Sequence, residues 1–300
     1  MFMRAATVSH FGGPEAVEIT EVPVPVPGPG QVRIKVSAAA LNPVDAAMRS
    51  GVFGGEGERI GLGWDVAGTI DAVGAGVNWP VGDRVIGLAT GHNEPLGTHA
   101  DYVVLDAEAI APAPASLDDV HAAALPLNAL SAAQALGLLA VRPGQSLLVT
   151  GAAGGVGGHT VELAHRQGLE VTVLASAGDI PFLVSRGANH FLTRGANLAP
   201  AGFDGVLDAA GLGNEAIAAV QDGGSYVGLW PGQEPDSERG VRVDALDVRA
   251  DGAQLAELSR LADQGEIRAR VAQTYPLEEV TAAHARLAEG SLRGRLVLIP

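Results

Sequence analysis

Residues 147–158 read Leu-Leu-Val-Thr-Gly-Ala-Ala-Gly-Gly-Val-Gly-Gly. An apolar run, Leu147 to Val149, meets a glycine-rich turn, and a helical pattern follows through Val161, Leu163 and Ala164. Strand, tight turn and helix in that order make the unit that receives the pyrophosphate of a dinucleotide. Small residues let the backbone approach the phosphates. The helix start offers them free N–H groups and the positive end of its dipole. Glycines alone would say little, but Gly154, Gly155 and Gly157 follow a strand and open a helix. The segment Ala153-Gly154-Gly155-Val156-Gly157 is therefore expected to cradle a dinucleotide.

The pattern around this segment sets the fold class. After it, strand and helix alternate. Strands are expected at 146–150, 170–174, 189–192, 204–208, 225–229 and near 242–248, and helices at 156–167, 180–186, 214–220 and 253–263. That alternation specifies an α/β, doubly wound parallel sheet. Before it, an Ala/Leu-rich helical stretch spans 120–140. The first third is β-rich: Glu18–Glu21, Val32–Ser37, Val66–Val73, Arg84–Leu88 and Ala100–Val104 have strand character, with period-2 alternation in Val32, Ile34 and Val36. The segment Pro23-Val-Pro-Val-Pro-Gly-Pro-Gly30 is a stiff connection that cannot be a central strand. Short strands punctuated by Gly and Pro indicate a partly open barrel. The chain ends in a strand, a helix over Glu278–Glu289 and the apolar strand Leu296–Ile299, which is expected to return to the first domain.

Composition narrows the class. The chain has 300 residues, of which 47% are hydrophobic, enough for two well-buried domains. Its 34 acids outnumber its 19 bases, for a net charge of −15, which disfavours nucleic acid and anionic membrane surfaces as partners. There is no cysteine, so no disulfide, thiolate metal site or cysteine nucleophile can form. The eight histidines include no HxxxH pair, and no metal is expected. The start, Met-Phe-Met-Arg, lacks a basic-then-apolar leader. The uncharged run 124–141 is broken by Pro126, Asn128, Ser131, Gln134 and Gly137, and reads as a buried helix rather than a membrane span. A cytoplasmic location is the expectation.

Several short motifs stand in a specific order. They are Met3-Arg-Ala, His10-Phe-Gly-Gly-Pro-Glu15, Leu41-Asn-Pro-Val-Asp45, Arg49-Ser-Gly51, Gly63-Trp-Asp-Val-Ala-Gly68, Val81-Gly-Asp-Arg-Val85 and Ala124-Leu-Pro-Leu127. After the glycine turn come Gly187-Ala-Asn-His190 and Arg293-Gly-Arg-Leu-Val-Leu298. Together they resemble the medium-chain dehydrogenase/reductase superfamily, and within it the zinc-free quinone oxidoreductase and enoyl reductase branch. The resemblance implies a GroES-like catalytic domain, residues 1–119 and 266–300, wrapped around a Rossmann domain, residues 120–265, with the active site in the cleft between them. It also implies a homodimer joined at Rossmann-sheet edges, for which Gly223–Leu229 and Val241–Val248 are candidates. Zinc-dependent relatives use cysteine and histidine ligands. Here cysteine is lacking and Trp64 stands in the histidine's place, so the neighbouring Asp65 reads as structural.

The second strand ends at Ala175-Ser176-Ala177, with no acid at its tip. NAD-specific folds hold an acid there, about 20 residues past the glycines, for the ribose hydroxyl. Ser176 is expected to donate to a 2′-phosphate instead, which favours NADPH over NADH. NADPH users among the relatives often have a lysine a few residues on and a tyrosine after the third strand. Asp179 and Arg194 stand there, the first counting against NADPH and the second supplying a phosphate-binding fork. The resemblance further implies Ser131, Gly228, Leu229 and Asn42 near the nicotinamide, and Ala210 and Gly211 along the adenosine-side ribose.

The implied activity is zinc-independent, NADPH-dependent hydride transfer to a quinone or an α,β-unsaturated carbonyl. Such chemistry needs alignment of the reactants and stabilisation of charge on the acceptor oxygen. Some relatives supply a tyrosine; those places hold Ala47 and Phe53. Asn42 is the candidate for polarising the carbonyl, with the alternative that it is a turn residue before Pro43. Phe53, Trp64 and Trp230 are candidates for an apolar wall against the acceptor. Water can supply the final proton; His92 and His99, in or beside the loop Thr90–Thr98, are further candidate donors. Two other readings stay open: an enoyl reductase of a secondary-metabolite pathway, and a catalytically weak NADP(H)-binding sensor or structural protein.

Overall fold

A computed structural model describes residues 1–54, 59–92, 94–198 and 200–300. The chain forms two compact units, Met1–Leu127 with Arg249–Pro300, and Asn128–Val248. The first unit contains β1 (Phe2–Val8), β2 (Glu18–Pro23), β3 (Gln31–Leu41), helix α1 (Pro43–Arg49), β4 (Ile60–Gly61), β5 (Asp65–Val73), β6 (Arg84–Leu88), β7 (Tyr102–Asp106), β8 (Ile110–Pro112) and α2 (Asp119–Ala122). The stretch expected as one helix over 120–140 is two, because α3 (Pro126–Leu139) starts afresh at a proline. By length and composition, Asp119–Leu139 is apolar enough to cross a bilayer; 72% of its most apolar window is buried, as in a core helix.

β3 organises the first unit. Its alternating Val32, Ile34 and Val36 are buried while Lys35 is exposed, and Ala38 to Leu41 are buried on both faces. β3 pairs antiparallel with β5 over Val32–Ala38 and with β7 over Gln31–Lys35. β6 and β8 extend the sheet from β5, and a separate three-stranded sheet runs β2-β1-β4. Val66, Ile70, Val85, Val103, Leu105 and Ile110 fill the core against β3. Gly68 is a close approach: a Cβ there would lie 2.2 Å from the Lys35 carbonyl oxygen, so only glycine lets β5 lie against β3 at this point.

The second unit holds β9 (Ser146–Thr150), α4 (Gly155–Arg166), β10 (Glu170–Ala175), α5 (Ile180–Val184), β11 (His190–Thr193), β12 (Phe203–Asp208), α6 (Asn214–Ala218), β13 (Val220–Gly228) and β14 (Arg242–Ala245). Its strands are all parallel, in the order β11-β10-β9-β12-β13-β14. This is the doubly wound order of a Rossmann sheet. One expectation is corrected. β13 is flanked by β12 and β14, so Gly223–Leu229 is interior, and the open edges are β11 and β14.

The chain then completes the first unit with α7 (Gly252–Asp263), β15 (Val271–Pro276), α8 (Val280–Ala288) and β16 (Arg295–Ile299). β16 pairs antiparallel with the end of β3, Leu296 opposite Leu41, as its apolar run implied. Helix α7, placed by its sequence pattern in the sheet domain, packs on β8. The Gly252 N–H donates to the Glu108 carbonyl (2.7 Å), Ser259 Oγ to the Pro112 carbonyl (2.8 Å), and the Ser116 N–H to Asp263 Oδ1 (2.8 Å). A Cβ on Gly252 would lie 2.4 Å from the Ile110 carbonyl oxygen, so the helix start fits because it is glycine.

Two glycine substitutions test this packing in opposite directions. Gly68→Ala forces β5 off β3 and lowers stability by about 1–3 kcal/mol. Gly137→Ala, on an exposed turn of α3 with open space around it, raises stability by up to about 1 kcal/mol through helix propensity. Urea unfolding midpoints of the two variants should bracket that of the parent chain.

Candidate active site

β9 ends at Thr150 and the chain turns through Gly151 (φ +59°) to Gly154, whose extended backbone caps α4. The first intrahelical bond runs from the Gly158 N–H to the Gly154 carbonyl, at 2.9 Å. The N–H groups of Gly155, Val156 and Gly157 precede it and have no intrahelical acceptor. Gly154 is exposed, and Ala153, Gly155 and Val156 are half-buried. A Cβ on Gly157 would lie 2.5 Å from the Gly151 carbonyl oxygen and 2.7 Å from Ala152 Cα, so glycine lets the helix settle on its turn. Bare N–H groups on a low, side-chain-free turn fit a pyrophosphate.

The strand order reverses around β9, and ligands of such sheets sit beyond the strand ends at that point. On one side, Ala175 at the end of β10 pairs with Thr193 of β11, and the Arg194 N–H donates to the Ala175 carbonyl at 3.1 Å. Ser176 and exposed Arg194 thus leave adjacent strand ends side by side. Asp179 is buried, at 7% exposure, rather than standing in solvent beside them. On the other side Asp208, also buried, joins three strand ends. It accepts from Thr150 Oγ1 (2.6 Å), the Tyr226 hydroxyl (3.0 Å) and the Gly213 N–H (2.8 Å). The Ala210 N–H donates to Thr150 Oγ1 at 3.0 Å, which places Ala210 and Gly211 (φ +72°) past β12. Burial, then the Asp208 charge, holds the Tyr226 phenol well above its ordinary pKa, so it remains a donor. Gly228, Leu229 and Trp230 follow from β13. Ser131 is buried on α3, away from these strand ends in sequence.

The first unit contains a polar frame that the sequence did not reveal as a whole. Asn42, between β3 and α1, donates from Nδ2 to Asp65 Oδ2 (2.6 Å) and to the Ala40 carbonyl (3.4 Å), and its Oδ1 accepts from Arg295 Nη1 (3.2 Å). The other oxygen of Asp65 accepts the Leu127 N–H at 2.6 Å. Asp45 accepts the N–H groups of Asn42 (2.7 Å) and Gly63 (2.9 Å). Asn42, Asp45, Asp65 and His99 have no exposed surface. Burial pushes the Asp65 carboxyl up to about 7, against the bonds from Leu127 and Asn42. Burial also raises Asp45, opposed mainly by His99, and lowers Arg295, opposed by Asp65 and Asp45.

This geometry revises the expectation for Asn42. Its side chain is enclosed and both amide N–H groups face protein acceptors, so here it holds the frame instead of pointing a donor at an acceptor oxygen. The same frame does not fit a catalytic zinc. The carboxylate oxygens already accept N–H groups, and His99 Nε2 lies 3.0 Å from the Ala40 carbonyl. Among the described residues no three histidine or acidic side chains converge as metal ligands.

The aromatic candidates separate. Trp230 belongs to the second unit, while Phe53 and Trp64 meet in the first, through His92. The His92 and Phe53 rings stack at 3.9 Å and 14°, and Trp64 lies tilted at 5.4 Å from His92. Trp64 is buried, with Nε1 3.1 Å from Met48 Sδ, Phe53 is half-buried and His92 is exposed. Of the loop Thr90–Thr98, Asn93 lies outside the described residues. Sequence spacing gives no signal that Phe53 and His92 touch.

Two family descriptions match: the alcohol dehydrogenase GroES-like domain over residues 28–115, and the zinc-binding dehydrogenase over residues 183–298. A 2-methylene-furan-3-one reductase of Solanum lycopersicum is 32% identical over 277 residues, covering 88% of this chain and 70% of that protein. An NADPH-dependent alkenal/one oxidoreductase of Arabidopsis thaliana, chloroplastic, is 30% identical over 313 residues, covering 99% and 80%. Among solved structures, the quinone oxidoreductase of Coxiella burnetii superposes with a TM-score of 0.90 at 28% identity, each chain fully covered.

Two buried groups give opposite pH dependences. Asp65 titrates near 7 when folded and near 3.9 when unfolded. The folded chain holds that proton more tightly, so the group's contribution to stability falls as pH rises from about 4 through 7. Burial, with the charges of His99 and Arg49, pushes His284 down to about 3, so its contribution rises with pH from about 3 to 6.5. Subtracting the urea stability of Asp65→Asn from that of the parent should give a difference that falls with pH across this window. The corresponding difference for His284→Gln should rise. Each slope is expected to approach about 1 kcal/mol per pH unit.

Proposed function

The chain belongs to the medium-chain dehydrogenase/reductase superfamily and is an oxidoreductase, and on that premise we propose that it reduces quinones or α,β-unsaturated carbonyls with NADPH and without zinc. One observation carries the cofactor choice: Ser176 and Arg194 lie side by side at the ends of β10 and β11, with no acid at the β10 tip. A 2′-phosphate meets a hydroxyl and a guanidinium there, where NADH would need a carboxylate. The backbone of Ala153 to Gly157 holds the pyrophosphate. Ala210 and Gly211 border the adenosine-side ribose, and Gly228, Leu229 and Ser131 border the nicotinamide. Once bound, the reduced nicotinamide supplies the hydride.

The protein's own part is to place the acceptor, exclude water and meet the charge that appears on its oxygen. Half-buried Phe53 in the first unit is the proposed flat apolar surface for a ring or enone, with buried Trp64 joined to it through His92; Trp230, in the second unit, is a separate candidate. Asn42 acts through position, by fixing Asp65 and Arg295 beneath the first unit's surface. Zinc independence rests on the missing cysteines and on carboxylates already committed to N–H donors. The acceptor class is supported by relatives whose names specify an alkenal/one, a methylene-furanone and a quinone. A cytoplasmic homodimer, joined through the open β14 edge, completes the reading.

The test is oxidation of NADPH, and separately of NADH, with 1,4-quinones and simple enones as acceptors. Acceptor-dependent NADPH turnover well above the NADH rate is expected. Faster NADH turnover would overturn the cofactor assignment, and tight nucleotide binding without turnover would favour a sensor or a narrow pathway substrate. Arg194→Glu should raise the KM for NADPH by about 10- to 100-fold, the worth of a charge-assisted bond, and leave that for NADH nearly unchanged.

A further inference from the structure

A dinucleotide held by backbone N–H groups needs fixed turns, and turns are the mobile part of such a sheet. In the second unit two turns touch. A Cβ on Gly151 would lie 3.0 Å from the Ala209 carbonyl oxygen and 3.2 Å from the Ala210 nitrogen, so the glycine turn after β9 rests on the turn after β12. Gly151, Gly211 and Gly213 have φ of +59°, +72° and +56°. Glycine adopts such values freely, but that freedom does not hold them. The holding is done by side chains. Asp208 closes β12, is 2% exposed, and pairs in register with Thr150 of β9 and Gly228 of β13. A carboxylate only accepts. Its Oδ1 takes the Thr150 hydroxyl (2.6 Å), and its Oδ2 takes the Gly213 N–H (2.8 Å) and the Tyr226 hydroxyl (3.0 Å). Thr150 spends its one hydroxyl proton on Asp208, so its oxygen is left to accept the Ala210 N–H at 3.0 Å. Every bond direction is thereby fixed, and both ends of the segment Ala210–Gly213 hang from one carboxylate. The Tyr226 phenol reaches it by lying along β13 over Gly228.

We infer that Asp208, working through Thr150 and Tyr226, is the positioning residue of the dinucleotide site: it fixes the turn after β12 against the glycine turn, so that one rigid backbone surface meets the pyrophosphate and the adenosine-side ribose. This rests on the reading of the second unit as the holder of a nicotinamide dinucleotide. Asp208 is enclosed and both its oxygens are occupied, so it acts through the turns. The network lies on the β12 and β13 side of β9, whereas Ser176 and Arg194 lie on the β10 and β11 side. It therefore serves NADPH and NADH alike and takes no part in choosing between them.

The test is direct binding of NADPH, and separately of NADH, followed by the fluorescence of the reduced nicotinamide with no acceptor present. Thr150→Val removes the hydroxyl that joins Asp208 to the Ala210 N–H, and Asp208→Asn puts a donor where an acceptor oxygen stood. Each is expected to raise the Kd of both cofactors by the same factor, about 10-fold for one lost buried bond, while kcat at saturating cofactor moves less than about threefold. Thr150→Ser keeps the hydroxyl and should hold Kd within about twofold of the parent. Urea unfolding identifies the variants that are folded under binding conditions. Should Asp208→Asn not fold, Tyr226→Phe removes a single donor and is expected to raise both Kd values about threefold. Hydrogen exchange gives a second readout, in which the Ala210 and Gly213 amides of nucleotide-free Thr150→Val exchange faster than in the parent. Unchanged Kd in folded Thr150→Val, no recovery in Thr150→Ser, or a loss confined to NADPH would overturn the assignment while leaving the parent's nucleotide binding intact. A parent chain that binds neither cofactor would remove the functional reading, and this assignment with it.

Discussion

The buried pair of bonds on Asp65 is the constraint on which the first unit depends. One oxygen takes the Asn42 amide at 2.6 Å and the other the Leu127 N–H at 2.6 Å. Through Asn42 the frame reaches Arg295 at the start of β16, and through Asp45 it reaches the Gly63 N–H. The end of β3 and the starts of α1, β5, α3 and β16 are thereby tied together, although they come from opposite ends of the chain. Two fully buried carboxylates beside a half-buried guanidinium cost several kcal/mol to desolvate, and the arrangement survives only because each carboxylate oxygen has a donor. Removing one partner leaves an uncompensated charge, which is why such a frame enforces one geometry more than it adds stability.

The second unit solves a different problem with little charge. Its ligand is an anion, and its answer is backbone. Gly157 lets α4 settle against the Gly151 carbonyl, so the turn presents N–H groups rather than side chains, the arrangement that suits an anion. Asp208 stiffens the rim behind them by gathering Thr150, Tyr226 and the Gly213 N–H. A buried triad serves the same end further out: Glu162 on α4 joins His159, 3.2 Å away, and Arg186 after α5. The first unit is thus organised by a fixed polar frame and the second by a fixed backbone turn.

Much of this was legible in the sequence because it is local. The glycine turn sits within a dozen residues, and the strands of the Rossmann sheet are short apolar runs between turns. Their order in the sheet follows from a fold rule. Ser176 and Arg194 could be named separately for the same reason. What escaped was long-range. Nothing in the spacing of Asn42, Asp65 and Arg295 shows that they share one enclosed site, and Asn42 looked available for chemistry because burial is invisible at one residue. Phe53 and His92 are 39 positions apart, and only the fold stacks them. The interior position of β13 was missed because a strand of a parallel sheet does not carry its neighbours in its own pattern.

The cofactor question shows why local geometry outweighs global composition. A net charge of −15 appears to disfavour a ligand with an extra phosphate. At physiological ionic strength the Debye length is about 8 Å, so most of those acids are screened from any one site. The β10 and β11 ends present one exposed guanidinium, one hydroxyl, and an Asp179 withdrawn from solvent. A bidentate arginine contact is a short-range, charge-assisted bond of about 1.5–3 kcal/mol, and screening barely touches it. A net negative charge of this size acts on large polyanions, whereas a choice between two nicotinamide cofactors turns on contacts as local as those of Ser176 and Arg194.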